Sequence, residues 1–128
     1  MATVLIVDDA SGARQILEAL LTMAGHEVIG QATDGEAGLA LATALQPDLL
    51  IVDMLMPRMD GVEVVARYRA ERPDARAVMI SSVTAVEKIR AARDAGVRHY
   101  ILKPFEPTKV LAVVAEALAG LDPLAASA

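Results

Sequence analysis

Four short, uninterrupted apolar runs stand out along the chain. They comprise Val4–Val7, Leu49–Val52, Ala77–Ile80 and Tyr100–Leu102. None of them alternates apolar with polar residues, and continuous runs of this length are typical of parallel strands that are covered on both faces. A fifth candidate, Val28–Ala32, is interrupted by Gly30 and Gln31 and predicts a weaker strand at the edge of a sheet.

A helical pattern follows each predicted strand. We expect Ser11 to cap the first helix and Gly25 to end it, and Ile16, Leu17, Leu20 and Leu21 to be its apolar side chains. The second helix is expected at about Glu36–Leu45 and the fourth at about Val86–Ala95. The third is expected to begin at Asp60-Gly61, to end before Pro73 and to carry Val62, Val65 and Ala66. The fifth is expected to begin near Pro107-Thr108, with Val110, Leu111, Val114 and Leu118 on one face. This alternation predicts an α/β fold with a flavodoxin-like, doubly wound five-stranded parallel sheet in the order 2-1-3-4-5 and five helices.

The composition fits one domain with an aliphatic core. The chain has 128 residues, of which 55% are hydrophobic but only 2% aromatic, so Ala, Val, Leu, Ile and Met must fill the core. There is no cysteine, which excludes disulfides and thiolate metal sites. We expect residues 1–120 to form the domain and residues 121–128 to be a C-terminal tail or linker stub.

The net charge, the first residues and the length of the apolar stretches exclude several classes of function. The net charge is -5 and no basic run occurs, so we expect no nucleic-acid binding. The first residues lack a positively charged segment, and no uncharged apolar stretch reaches the roughly 18 residues that suggest a membrane span. We therefore expect no membrane insertion and a cytoplasmic location.

Polar residues follow four of the five predicted strands, all but the weak edge strand, at the point where each strand ends. Asp8 and Asp9 follow the first strand, Asp53 and Ser81 end the third and fourth, and Lys103 follows the fifth. The carboxyl ends of parallel strands share one edge, which is where open sheets bind their ligands. These five side chains are therefore expected to meet at one site.

That set of side chains predicts a metal site and phosphoryl chemistry. Three neighbouring carboxylates repel one another, so either one is protonated or a cation neutralises them. Carboxylate oxygens without His or Cys favour Mg²⁺, or Mn²⁺. A metal, the Lys103 ammonium and the Ser81 hydroxyl around the carboxylate of Asp53 would form a receptor for a phosphoryl group on that carboxylate.

These residues, in this order and at these spacings, resemble a known family. The resemblance is carried by Asp8-Asp9, the stretch Asp53–Gly61 (DMLMPRMDG), Ser81, and the stretch Tyr100–Phe105 (YILKPF). From about Thr3 to Leu118, the chain is similar to the receiver domains of two-component response regulators, most of all to the stand-alone chemotaxis type.

The resemblance implies a role for each acidic residue of the site. Asp53 would be the phosphoacceptor. Asp9 and Asp53 would bind the metal directly, together with the backbone carbonyl of Leu55, and Asp8 would act mainly through water.

The resemblance also implies a switch. Ser81 and Lys103 would contact the phosphoryl group, and the Lys103–Pro104 bond is expected to be cis. Tyr100 stands where the family has a switch aromatic, and it would turn inward when Ser81 moves toward the phosphoryl group. The surface of the fourth helix, fifth strand and fifth helix would then change shape.

The implied function is a phosphorylation-activated signalling switch rather than a turnover enzyme. It would take its phosphoryl group from a sensor histidine kinase or a phosphotransfer protein and signal to an unknown protein target, as a monomer or weak homodimer. A receiver fragment of a larger regulator, a phosphorelay shuttle and an interaction-only receiver remain alternatives. A dehalogenase-like phosphatase is rejected because Leu55 stands where a second acid is needed, and Asp8-Asp9 would repel the phosphate of a flavin.

Leu55 and Val83 are apolar at two positions where polar side chains of the family can help to place the attacking water. We therefore expect self-dephosphorylation to be slow.

Overall fold

Strands and helices alternate as the apolar runs predict. The structure, a computed structural model, describes residues 1–82 and 86–120. The strands are β1 (Thr3–Val7), β2 (Glu27–Ala32), β3 (Leu49–Asp53), β4 (Ala77–Ser81) and β5 (His99–Leu102). The helices are α1 (Ser11–Met23), α2 (Gly35–Leu45), α3 (Gly61–Glu71), α4 (Val86–Asp94) and α5 (Pro107–Leu118). None of the helices in these two ranges is both long and apolar enough to cross a bilayer.

The five strands form one parallel sheet in the order β2-β1-β3-β4-β5, which confirms the flavodoxin-like prediction. The predicted weak strand, β2, lies at an edge of the sheet. Val4 pairs with Val28 but Leu5 pairs with Gly30, so Ile29 is an extra residue and β2 bulges there.

Alternate residues of the central strands enter two separate cores. On one face, strand residues pack with α2, α3 and α4; they include Leu5, Val7, Leu50, Val52 and Met79. On the other face, strand residues pack with α1 and α5; they include Val4, Ile6, Leu49, Ile51 and Ile80. Each fully buried side chain of this kind contributes about 1.5–3 kcal/mol. The uninterrupted apolar runs exist because both faces of these strands are covered.

Helix α1 differs from its prediction at its first residue and on one side. Ser11 is not its cap: the helix begins at Ser11, and Ala10 holds the cap position without a side-chain hydrogen bond. Leu17 and Leu21 are buried, whereas Ile16 is 50% exposed. Adjacent helical residues lie about 100° apart around the axis, so a core that takes Leu17 and Leu21 leaves Ile16 at the surface.

Helix α3 also presents a different apolar face from the predicted one. Val64, Val65 and Tyr68 are buried, while Val62 is only partly buried and Ala66 is exposed. The run of valines at its start is compatible with more than one face, and the long side chain of Tyr68 fills the space beneath the sheet.

Candidate functional site

The loop between β1 and α1 holds one buried and one exposed carboxylate. The backbone N–H of Asp8 donates to the Ala32 carbonyl at 3.0 Å, and Asp8 Oδ1 accepts from the Ala10 N–H at 2.9 Å. Arg14 Nη1 donates to the backbone carbonyl of Asp8 at 2.7 Å. Asp8 is fully buried, whereas the next residue, Asp9, is exposed.

Asp53 is the last residue of β3 and is almost fully buried. The Leu55 N–H lies 3.4 Å from Asp53 Oδ1. Helix α3 starts close behind, where Asp60 caps it by accepting from the Glu63 N–H at 2.9 Å. A Cβ at Gly61 would lie 2.2 Å from the Asp53 carbonyl oxygen, so only glycine fits where α3 meets the end of β3.

The three aspartates converge. One carboxylate oxygen from each of Asp8, Asp9 and Asp53 lies within 4.8 Å of the others. Burial and the charge of Asp8 raise the pKa of Asp53, although the Lys103 ammonium opposes the shift. The ionised cluster is therefore under electrostatic strain that a further cation would relieve.

Lys103 supplies the positive charge on the described part of the site. Its Nζ lies 3.1 Å from Asp8 Oδ2 and 3.3 Å from Asp53 Oδ2. Its backbone N–H donates to the Ser81 carbonyl at 3.0 Å, and the Lys103–Pro104 peptide bond is cis. Desolvation alone would lower the pKa of Lys103, but the hydrogen bonds and charges of the two aspartates raise it. The side chain is therefore charged at neutral pH.

Ser81 and Tyr100 lie on the two strands beside the cluster. Ser81 ends β4 and is buried, and its Oγ lies 3.9 Å from Met54 Sδ. Tyr100 is half-buried, and its hydroxyl donates to the backbone carbonyl of Ile89 at 3.2 Å. Burial raises the pKa of Tyr100 despite two nearby arginines, so the phenol remains a hydrogen-bond donor.

The donor set suits the predicted cation. Asp8 Oδ2 is buried, and its partner within residues 1–82 and 86–120 is the Lys103 ammonium at 3.1 Å. Three hard carboxylate oxygens are ligands that Mg²⁺ and Mn²⁺ accept, with water completing the shell. Leu55, the source of the predicted carbonyl ligand, is 42% exposed beside Asp53. Val83 lies outside the described residues.

Sequence reasoning missed Arg14. An arginine in the first turn of a helix normally lies in solvent, and nothing in its spacing from Asp8 distinguishes it. Only the structure reveals that the Arg14 side chain is half-buried and bonded to the loop that carries the two early aspartates.

The fold and the site define a class of protein. A family model with the description "response regulator receiver domain" matches residues 4–115, and the chain belongs to this family. Receiver domains are switches of two-component signalling rather than turnover enzymes, and they bind Mg²⁺ at an acidic cluster such as the one formed here by Asp8, Asp9 and Asp53.

Several relatives match the chain over most of its length. The chemotaxis protein CheY of Thermotoga maritima is 35% identical over 108 residues, which cover 84% of this chain and 90% of that protein. A structure of CheY4 from Vibrio cholerae has a TM-score of 0.85 at 34% identity, covering 91% of this chain and 98% of that one. A CheX-CheY-BeF3-Mg complex from Borrelia burgdorferi gives a TM-score of 0.80 at 31% identity, covering 88% and 85%.

Other relatives are longer than the matched region. The nitrate/nitrite response regulator NarL of Escherichia coli K12 is 36% identical over 120 residues. These cover 93% of this chain but only 56% of that protein, so the chain spans about half of its length.

Proposed function

We propose that this chain is a phosphorylation-activated signalling switch with Asp53 as its phosphoacceptor. The observation that carries the proposal is the position of Lys103 Nζ, 3.3 Å from Asp53 Oδ2 and 3.1 Å from Asp8 Oδ2. An ammonium that already contacts the acceptor carboxylate can neutralise an oxygen of a phosphoryl group placed there, without reorganisation during the transfer.

The proposed donor is a phosphohistidine of a sensor histidine kinase or a phosphotransfer protein. A carboxylate oxygen of Asp53 forms the new P–O bond while the P–N bond breaks, and the electron pair of that bond returns to the imidazole, which takes up a proton. Asp53 must be ionised to attack, and Lys103 favours that form against the effect of burial. The Ser81 hydroxyl would donate to a phosphoryl oxygen.

Three oxygen donors would hold the cation. Asp9 and Asp53 would bind Mg²⁺, or Mn²⁺, directly together with the carbonyl of Leu55, and Asp8 would act through water. When bound, the metal would supply charge neutralisation for the transferring group.

The proposed output surface is formed by α4, β5 and α5. A groove of about 490 Å³ lies on it, lined by residues that include Tyr100, Leu102, Lys109 and Val113, and Leu102 is 59% exposed. Phosphorylation would draw Ser81 toward the phosphoryl group and turn Tyr100 inward. A protein target would then read the altered surface, which is a population shift between two states.

Phosphorylation from a small acyl phosphate tests the acceptor. Wild type, Asp53→Asn and Asp60→Asn are incubated with acetyl phosphate and Mg²⁺, and intact masses are measured. Asp60→Asn is the matched control because asparagine caps α3 as well as aspartate does. We expect the phosphoryl mass on wild type and Asp60→Asn, none on Asp53→Asn, and none when EDTA replaces Mg²⁺. A modified Asp53→Asn would place the acceptor elsewhere.

The lifetime of the phosphoryl group forms a second part of the proposal. Leu55 is partly exposed beside Asp53, and an aliphatic side chain there cannot orient an attacking water. Self-dephosphorylation should therefore be slow, and Leu55→Gln should shorten the lifetime measured by the loss of phosphoryl mass. A wild-type lifetime as short as that of the variant would contradict this reasoning.

A further inference from the structure

Arg14 contacts the candidate site without touching a carboxylate of the cluster in any of its described bonds. Its Nη1 donates to the backbone carbonyl of Asp8 at 2.7 Å, and its side chain is half-buried against the β1–α1 loop. Ordering so long a side chain costs about 1.5–2 kcal/mol of entropy, which a part-buried hydrogen bond from a charged donor can offset. The contact therefore invites a role in shaping this loop.

The hydrogen bonds around Asp9 show what that role is. The peptide group before Asp9 contains the Asp8 carbonyl, which Arg14 holds at 2.7 Å. The peptide group after Asp9 contains the Ala10 N–H, which donates to Asp8 Oδ1 at 2.9 Å. Asp9 itself is exposed, so these two bonds to its flanking peptide groups restrain its backbone and thereby the direction in which its side chain leaves the loop.

We propose that Arg14 is a positioning residue for the metal site. Its side chain holds the peptide group between Asp8 and Asp9, so that the Asp9 carboxylate stays close to the carboxylates of Asp8 and Asp53. This inference rests on the proposed metal-dependent function. Without Arg14 the peptide group loses one of its restraints, and the exposed Asp9 carboxylate spends less time in the cluster, within which all three ligand oxygens lie 4.8 Å or less apart.

Positioning and simple electrostatics predict opposite effects. A guanidinium close to the cluster repels a divalent cation, so charge alone predicts tighter Mg²⁺ binding when Arg14 is replaced by a neutral residue. Positioning predicts weaker binding, because outer-shell partners of metal ligands typically account for 10- to 100-fold in affinity. The sign of the change therefore separates the two explanations.

The test is an NMR titration of the full chain, labelled with ¹⁵N, with MgCl₂. We expect Arg14→Gln to raise the Mg²⁺ Kd about tenfold. Arg14→Lys should raise it less, because lysine keeps the charge but loses the planar fork. Arg67→Gln is the matched control, since it removes an exposed arginine that pairs with Glu63 at 2.8 Å on α3, and it should leave the Kd unchanged.

Amide hydrogen exchange without metal gives a second readout. The Ala10 amide should exchange faster in Arg14→Gln, because the loop that presents its acceptor has loosened. An unchanged or lower Mg²⁺ Kd in Arg14→Gln overturns the inference. If Arg14→Gln does not fold, Arg14→Lys decides instead, and an Mg²⁺ Kd equal to that of the wild type overturns the inference. A wild type that binds no Mg²⁺ overturns the proposed function itself, and the inference with it.

Discussion

Replacing Asp53 by asparagine should stabilise the metal-free protein although it removes the proposed acceptor. Burial and the charge of Asp8 raise the pKa of Asp53 above its ordinary value of 3.8. The folded state therefore holds the ionised carboxylate less favourably than the unfolded chain does. Asparagine keeps the shape of the side chain and an oxygen that can accept from the Leu55 N–H, but it carries no charge.

The size of the effect follows from the distances in the cluster. Two like charges 4.8 Å apart repel by about 3.5 kcal/mol at an effective dielectric constant of about 20. Asp8 opposes Asp53 by at least this amount, and Asp9 by less because solvent screens it. Lys103, at 3.3 Å, attracts Asp53 by about 5 kcal/mol on the same scale. The charge terms nearly cancel, so the cost of burial leaves an expected gain of about 1–2 kcal/mol for Asp53→Asn.

Urea unfolding followed by circular dichroism, at pH 7 in EDTA, measures this gain. Asp34→Asn is the control, since it removes one charge elsewhere and asparagine still caps α2 through the Ala37 N–H. Because the folded pKa of Asp53 is raised, wild-type stability falls as the pH rises through it. The advantage of Asp53→Asn should therefore grow as the pH rises through the raised pKa of Asp53 and vanish below pH 3.8, where the unfolded chain is protonated too.

Saturating Mg²⁺ should reverse the order, because the metal stabilises the folded state that binds it and the variant lacks one ligand. An Asp53→Asn protein no more stable than Asp34→Asn in EDTA at pH 7 would refute the electrostatic reasoning. So would a difference between them that does not change with pH.

Three further predictions concern the fold and are tested by urea or thermal unfolding. Gly61→Ala should lower the free energy of unfolding by about 2 kcal/mol or more, as overpacking a core does, because its Cβ would lie 2.2 Å from a backbone oxygen. Gly12→Ala is the control: it has open space around it and should raise the free energy of unfolding by up to about 1 kcal/mol. Gln46→Gly should gain about 1 kcal/mol, because Gln46 has a φ of 49° at the end of α2, and Gln46→Ala should show no gain. Asp48→Asn should reduce stability at neutral pH, because hydrogen bonds from Thr3 lower the pKa of Asp48, and the difference should disappear as the pH falls below 3.8.

The sheet and the candidate site could be predicted because both depend on local patterns. Strands covered on both faces leave uninterrupted apolar runs, such as Val4–Val7, that few other structures produce. Once the strands were placed, parallel topology put the residues after them at one edge, which brought Asp53 and Lys103 together although 50 residues separate them.

Features that depend on how elements pack could not be predicted. Ile16 and Leu17 are adjacent apolar residues of α1, and only the way in which the helix packs on the sheet decides that Leu17 is buried and Ile16 is not. Ser11 is predicted to cap α1, but the helix begins at Ser11 itself, and the Asp8 carboxylate accepts from the N–H of the residue before it, Ala10. The hydrogen bond from Arg14 to the Asp8 carbonyl depends on the orientation of α1 and on the rotamer of the Arg14 side chain. Neither can be predicted from the spacing of residues in the sequence.

The bulge in β2 limits how copies of this protein can meet. An edge strand with free N–H and C=O groups can pair with the edge of a second molecule and extend the sheet between them. The extra residue, Ile29, breaks the regular repeat of those groups, and the exposed polar side chains of Glu27 and Gln31 flank it. Continuous sheets running across two molecules are therefore disfavoured at this edge.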